Sequence, residues 1–151
     1  MALTFWLSIA FIVMIVLKAA FKKRENGKRS LMVVLGSGGH TSEMLMMLNK
    51  AQFNNYSSVF FVIGKSDRKS KEVLDMFLQQ RDSLINDFIT ITLPRPNEVG
   101  DGKLLASIKT IYSTLYCLVK LLQLNFVNVL ICNGPGICVP IIISTRLLNV
   151  F

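Results

Sequence analysis

From residue 31 onward, short uninterrupted apolar runs alternate with segments in which apolar residues recur every third or fourth position. Leu31-Met-Val-Val-Leu35 and Val59-Phe-Phe-Val-Ile63 are apolar throughout and rich in β-branched residues, which predicts strands buried on both faces. Phe88 to Leu93 predicts a third strand, closed by Pro94-Arg-Pro96, and Phe126 to Cys132 a fourth. Helix-period segments lie between them. Thr41 or Ser42 is placed to cap a first helix, with Glu43 in its first turn and Met44, Leu45, Met47 and Leu48 on its apolar face. Ser66 or Asp67 caps a second helix reaching Gln80, with Val73, Leu74, Phe77 and Leu78 turned inward. A turn-like stretch, Asn97 to Gly102, leads into a long helix from Lys103 to Leu122, and Asn133-Gly-Pro-Gly136 opens a final apolar helix. Strands alternating with helices predict an α/β, Rossmann-like, doubly wound parallel sheet. The pattern calls for one more strand where Leu147-Leu-Asn-Val-Phe151 stands, so a shortened form of a longer protein is expected, with an apolar sheet edge that something must cover.

Ahead of this domain, Ala2 to Leu17 is free of charge, and the run extends to Phe21 if Lys18 snorkels to the headgroups. Such a stretch, at about 1.5 Å per residue, spans roughly the 30 Å of a hydrocarbon core. A cleaved signal peptide would carry its basic residues before the apolar run, whereas here FKKRENGKR follows it. The expected organisation is a transmembrane anchor over 2–21, a basic juxtamembrane linker over 22–30 and the α/β domain over 31–151. The charge bias places the linker and domain in the cytosol, and the basic cluster also attracts anionic lipid heads.

That location changes the meaning of the net charge of +8. Lys18, Lys22, Lys23, Arg24, Lys28 and Arg29 gather beside the anchor, and the domain from Leu31 onward is only slightly basic. A nucleic-acid face needs basic residues spread over the fold with aromatics between them, so no nucleic-acid partner is expected. Cys117, Cys132 and Cys138 form no CxxC pair and sit in apolar runs, which reads as buried, reduced thiols. The long helix carries two stripes, Leu104, Ile108, Ile111, Leu115 and Leu118 beside Leu105, Tyr112, Tyr116 and Val119. This band is wider than one sheet face requires. Either the helix is buried between the sheet and neighbouring helices, or the second stripe meets lipid with Lys109 and Lys120 near headgroups.

The strongest chemical signal is Gly36-Ser37-Gly38-Gly39-His40-Thr41 between a strand and a helix. Glycines let a ligand approach the backbone, and a helix N-terminus offers free N–H groups to an anion, most naturally a phosphate or diphosphate. No Lys lies between Gly36 and Ser42, which excludes a Walker loop. Thr41 stands where a dinucleotide fingerprint has its third glycine, and Gly64-Lys65 where it has its ribose acid. A membrane-tethered oxidoreductase is therefore disfavoured. A tight turn whose glycines serve only packing is the bland alternative. Asn133, Gly134 and Gly136 repeat the arrangement after the fourth strand, and the two loops are expected side by side at the switch point of the sheet. His40, the single histidine, is either a helix-cap residue or a base for a sugar hydroxyl.

LMVVLGSGGHTSEM, FFVIGKSD, LPRPNEVG and LICNGPGICVP behind an N-terminal anchor resemble the membrane-anchoring subunits of the eukaryotic UDP-N-acetylglucosamine transferase of dolichol-linked oligosaccharide synthesis. The likeness covers the whole chain. A more distant likeness is to the acceptor half of the bacterial lipid-linked N-acetylglucosaminyltransferase of cell-wall synthesis. The resemblance implies the acceptor lobe of a two-lobed, GT-B glycosyltransferase, with a soluble catalytic subunit recruited to the cytosolic face of the endoplasmic reticulum. It further implies transfer of a second GlcNAc from UDP-GlcNAc, held by the partner, to GlcNAc-diphosphate-dolichol, with no cofactor or catalytic metal. Carried onto this sequence, Gly36, Ser37, Gly38, Gly39, Thr41, Asn133, Gly134 and Gly136 bind the acceptor diphosphate and His40 is the candidate base. A recruitment scaffold without acceptor binding is the alternative.

Overall fold

The computed structural model describes residues 29–81, 88–96, 100–124, 127–134 and 136–149. The expected anchor and the linker up to residue 28 lie outside these residues. Among the described residues, strands β1 (Arg29–Leu35), β2 (Tyr56–Gly64), β3 (Phe88–Leu93) and β4 (Val129–Asn133) alternate with helices α1 (Gly39–Met47), α2 (Arg68–Gln79), α3 (Lys103–Gln123) and α4 (Cys138–Asn149). The strands pair in parallel in the order β3-β2-β1-β4. This is the α/β, Rossmann-like sheet that the hydrophobic pattern predicts. The chain moves outward from β1 to β3 and then returns to lay β4 on the other side of β1. The switch point therefore lies between β1 and β4, where ligands of such sheets collect.

The two-residue period of the strands divides the core. Leu31, Val33 and Leu35 with Val59, Phe61 and Ile63 face α1 and α2, where Met44, Leu45, Leu74 and Leu78 meet them. Met32, Val34, Phe60 and Val62 face the other way, onto Cys117 and Leu121 of α3 and Ile141 of α4. Burial on both faces is why β1 and β2 show no polar alternation, and each such side chain contributes about 1.5–3 kcal/mol. Strand β1 also takes in Arg29 and Ser30, ahead of the apolar run. There the buried Ser30 amide donates to Asn128 Oδ1 at 2.9 Å, and the Asn128 amide donates to Ser30 O at 3.2 Å. The second helix is capped as expected, with Asp67 Oδ1 accepting from the Ser70 amide at 3.1 Å.

Two sequence expectations need correction. Helix α1 starts at Gly39, with Gly38 at φ 68 as its cap, and it has no acidic residue in its first turn. Neither Thr41 nor Ser42 caps it, because the positive φ of Gly38 turns the chain into the helix at least three residues earlier. On α3, of the two apolar stripes, only Tyr116 packs toward the sheet. Ser113, Cys117 and Leu121 face it, and Ser113 Oγ donates to Pro94 O at 2.9 Å. Ser144 of α4 donates to Thr114 O at 3.0 Å, tying the two helices together. Small side chains at 113 and 117 bring the helix close to the sheet and leave the large ones outside: Leu104 is 77% exposed, Ile111 62% and Tyr112 61%. Among the described residues, α3 is the one helix long and apolar enough to cross a bilayer, with a mean hydropathy of 1.3 and only 22% of that window buried.

Candidate functional site

Strands β1 and β4 end level with one another, Leu35 beside Asn133, so both glycine loops leave the sheet together. A Cβ at Gly36 would lie 2.5 Å from the Asn133 carbonyl oxygen and 3.1 Å from Gly134 Cα. Gly134, at φ 102, has room for a Cβ only 3.1 Å from Gly36 Cα and 3.2 Å from His40 Cδ2. These two glycines are required by the close approach of the loops to each other. Gly36→Ala drives a methyl into a backbone carbonyl that cannot turn away. Thermal or denaturant unfolding of the chain is expected to show a loss of about 1–3 kcal/mol, as for overpacking generally; wild-type stability would mean the junction is looser than described.

Gly38 and Gly39 are different. Both are exposed, and a Cβ at either would find nothing within 4 Å. Since α1 starts at Gly39 without a side-chain cap, the N–H groups of its first turn have no acceptor within the helix. They and the helix dipole favour an anion at this end. Ser37 lies on the same exposed rim. Gly136, at φ 76, precedes α4, and its carbonyl accepts from the Val139 amide at 3.1 Å.

Thr41 is only 1% exposed. Its hydroxyl donates to the Gly36 carbonyl and shares a hydrogen bond with Ser70 Oγ at 2.7 Å. Ser70 lies in the first turn of α2, capped by Asp67, whose carboxylate also pairs with Arg95 at 3.1 Å. The Thr41 side chain therefore clamps α1 to α2, and its backbone amide is what it brings to the open end of the helix.

His40 sits in the first turn of α1 and is partly exposed. Its Nδ1 lies 3.2 Å from Glu43 Oε2, and the same oxygen accepts from Asn133 Nδ2 at 3.2 Å. Asn133 Nδ2 also donates to the His40 carbonyl at 3.3 Å. The hydrogen bonds from Asn133 and then His40 hold the Glu43 carboxyl below its ordinary value near 4.5, so it is ionised at neutral pH. The structure thus brings His40, Asn133, Gly36 and Gly134 into one cluster, with Ser37, Gly38 and Gly39 on its open side. Glu43 is the member that sequence reasoning placed only as a helix-cap charge. Its spacing of three from His40 on a helix was the available signal. Among the described residues, no three His, Cys, Asp or Glu side chains form a metal-ligating group.

A family model described as "Oligosaccharide biosynthesis protein Alg14 like" matches residues 31–151. The chain belongs to this family. Its Alg14-like region begins at the apolar run of β1 and takes in both glycine loops, as the sequence resemblance leads one to expect. The mouse UDP-N-acetylglucosamine transferase subunit ALG14 is 34% identical over 127 residues, covering 80% of this chain and 57% of the mouse protein. The human subunit of the same name is 32% identical over 129 residues, with coverages of 80% and 57%. That of Yarrowia lipolytica is 32% identical over 127 residues, covering 84% and 57%. The Alg14-like chain thus spans less than two thirds of the length of these relatives. No solved structure matches it significantly.

Proposed function

We propose that this Alg14-like chain is the membrane-anchored, acceptor-binding subunit of a two-chain N-acetylglucosaminyltransferase. It holds the diphosphate of GlcNAc-diphosphate-dolichol at the cytosolic face of the endoplasmic reticulum membrane. A soluble catalytic subunit, recruited to it, brings UDP-GlcNAc. The observation that carries this reading is the uncapped N-terminus of α1 at the β1–β4 switch point, where a side chain added at Gly38 or Gly39 would meet only open space. The mouse and human relatives, both UDP-N-acetylglucosamine transferase subunits, support it.

In this reading residues 2–21 anchor the chain and 22–30 tether the domain, so the phosphate site stays beside the bilayer. The exposed apolar band of α3, edged by Lys109 and Lys120 on the helical wheel, rests on the lipid surface. Bound acceptor presents a sugar hydroxyl to His40, which takes its proton. The hydroxyl oxygen forms a bond to C1 of the GlcNAc held by the partner. The C1–oxygen bond to UDP breaks, and UDP leaves with the electron pair.

The test is reconstitution of the full chain in membranes with its soluble partner. GlcNAc transfer to the lipid acceptor should require both chains. His40→Ala should lower kcat by roughly 10²–10⁴, the usual contribution of a general base, while partner recovery stays unchanged. Transfer by this chain alone would overturn the split-enzyme reading. Partner recruitment without any acceptor binding would leave a scaffold.

A further inference from the structure

We infer that Glu43 is a positioning residue that fixes the His40 ring while clasping the second glycine loop through Asn133. The inference rests on the reading of His40 as the base. Glu43 Oε2 lies 3.2 Å from His40 Nδ1 and 3.2 Å from Asn133 Nδ2, and Nδ2 reaches the His40 carbonyl at 3.3 Å. The three groups close a ring between the start of α1 and the end of β4.

An amide nitrogen can only donate, so Oε2 is the acceptor toward Asn133, and an ionised carboxylate can only accept toward the imidazole. The proton of the neutral ring therefore belongs on Nδ1, which leaves the lone pair on Nε2. That is the form in which Nε2 can take a proton from an acceptor hydroxyl. The Cδ2 edge, next to Nε2, lies against Gly134, where an added Cβ would stand 3.2 Å from it. The basic edge of the ring is thereby turned toward the second glycine loop.

An exposed helical His–Glu pair by itself contributes little to stability, and these side chains are 43% and 63% exposed. Asn133 makes the difference, since it comes from 90 residues away and fixes the carboxylate in place. The consequence is orientation, and a second one follows. Removing the Glu43 side chain leaves Asn133 held only by its bond to the His40 carbonyl, so the ring loses its support and the loop one of its two ties.

Two measurements on the full chain test this. With its single histidine labelled with ¹⁵N in lipid nanodiscs, the wild-type ring should show the Nδ1–H tautomer. Glu43→Ala should shift it toward Nε2–H. In the reconstituted two-chain assay, with UDP-GlcNAc and a GlcNAc-diphosphate lipid, Glu43→Ala should lower kcat about tenfold or more with little change in KM. This is less than the roughly 10²–10⁴ expected of the base itself. Glu43→Gln keeps an oxygen that accepts from both partners and should restore most of the rate. If Glu43→Ala leaves tautomer and kcat as in wild type while His40→Ala abolishes transfer, the inference falls and the base reading stands. If His40→Ala transfers normally, the base reading falls, and the catalytic role of Glu43 falls with it.

Discussion

Gly39→Asp is expected to reduce GlcNAc transfer by roughly three orders of magnitude without unfolding the domain. Position 39 has open space around it and no left-handed backbone requirement, so a side chain is accommodated. As the first residue of α1, an aspartate even suits the helix dipole, by about 0.3–1 kcal/mol. In the proposed reading, however, its carboxylate would stand where the acceptor's phosphate comes. A like charge at 4 Å costs about 4 kcal/mol at an effective dielectric constant of 20, and each 1.4 kcal/mol is about tenfold. The loss should appear as a raised KM for the lipid acceptor, with partner recovery and thermal unfolding at or above wild-type values. Gly39→Ala adds bulk without charge and should change the rate less than about tenfold, since each tenfold step requires 1.4 kcal/mol. Wild-type transfer by Gly39→Asp would remove the anion site from α1. The effect therefore separates a ligand-facing glycine from a packing glycine, which Gly36→Ala cannot do.

That separation was not legible in the sequence. Gly36, Gly38 and Gly39 read as one glycine-rich phosphate loop, yet Gly36 is needed because the Asn133 carbonyl presses on it. Only strand order shows this, by placing β4 against β1. The strands themselves were legible, because β1 and β2 are buried on both faces and so carry continuous apolar runs. The switch point followed from that alternation. The start of α1 was not, because local capping rules favour Thr41, while the Gly36 carbonyl and Ser70 draw its hydroxyl inward. Glu43 was half visible. Its spacing from His40 is in the sequence, whereas its contact to Asn133 depends on two loops meeting. On α3 the periodicity revealed a wide apolar band and left its direction open, because Ser113 and Cys117 reach the sheet as small residues in an otherwise bulky helix.

The outer band of α3 yields the other large effect. A soluble helix puts its large apolar residues inside and its small polar ones outside, and α3 does the reverse over much of its length. If this band lies on lipid, a tryptophan at Tyr112, in a Trp6→Phe background, should be strongly quenched by brominated phospholipid. One at Met76, exposed on α2 across the sheet, should not. Changing Leu104, Ile108, Ile111 and Leu115 together to Gln should abolish the quenching at 112. Complete burial of one such side chain contributes about 1.5–3 kcal/mol, so half-burial of four gives on the order of 3 kcal/mol or more, enough to shift docking about 10²-fold. The fold should survive, since all four are exposed and surface changes of this kind usually stay within about 0.5 kcal/mol each. Transfer to a membrane-embedded acceptor should then fall while transfer to a water-soluble GlcNAc-diphosphate is retained, because the substitutions leave the glycine loops untouched. A tryptophan at 112 that lipid does not quench, together with a loss of partner recovery in the fourfold variant, would assign this face to the soluble subunit.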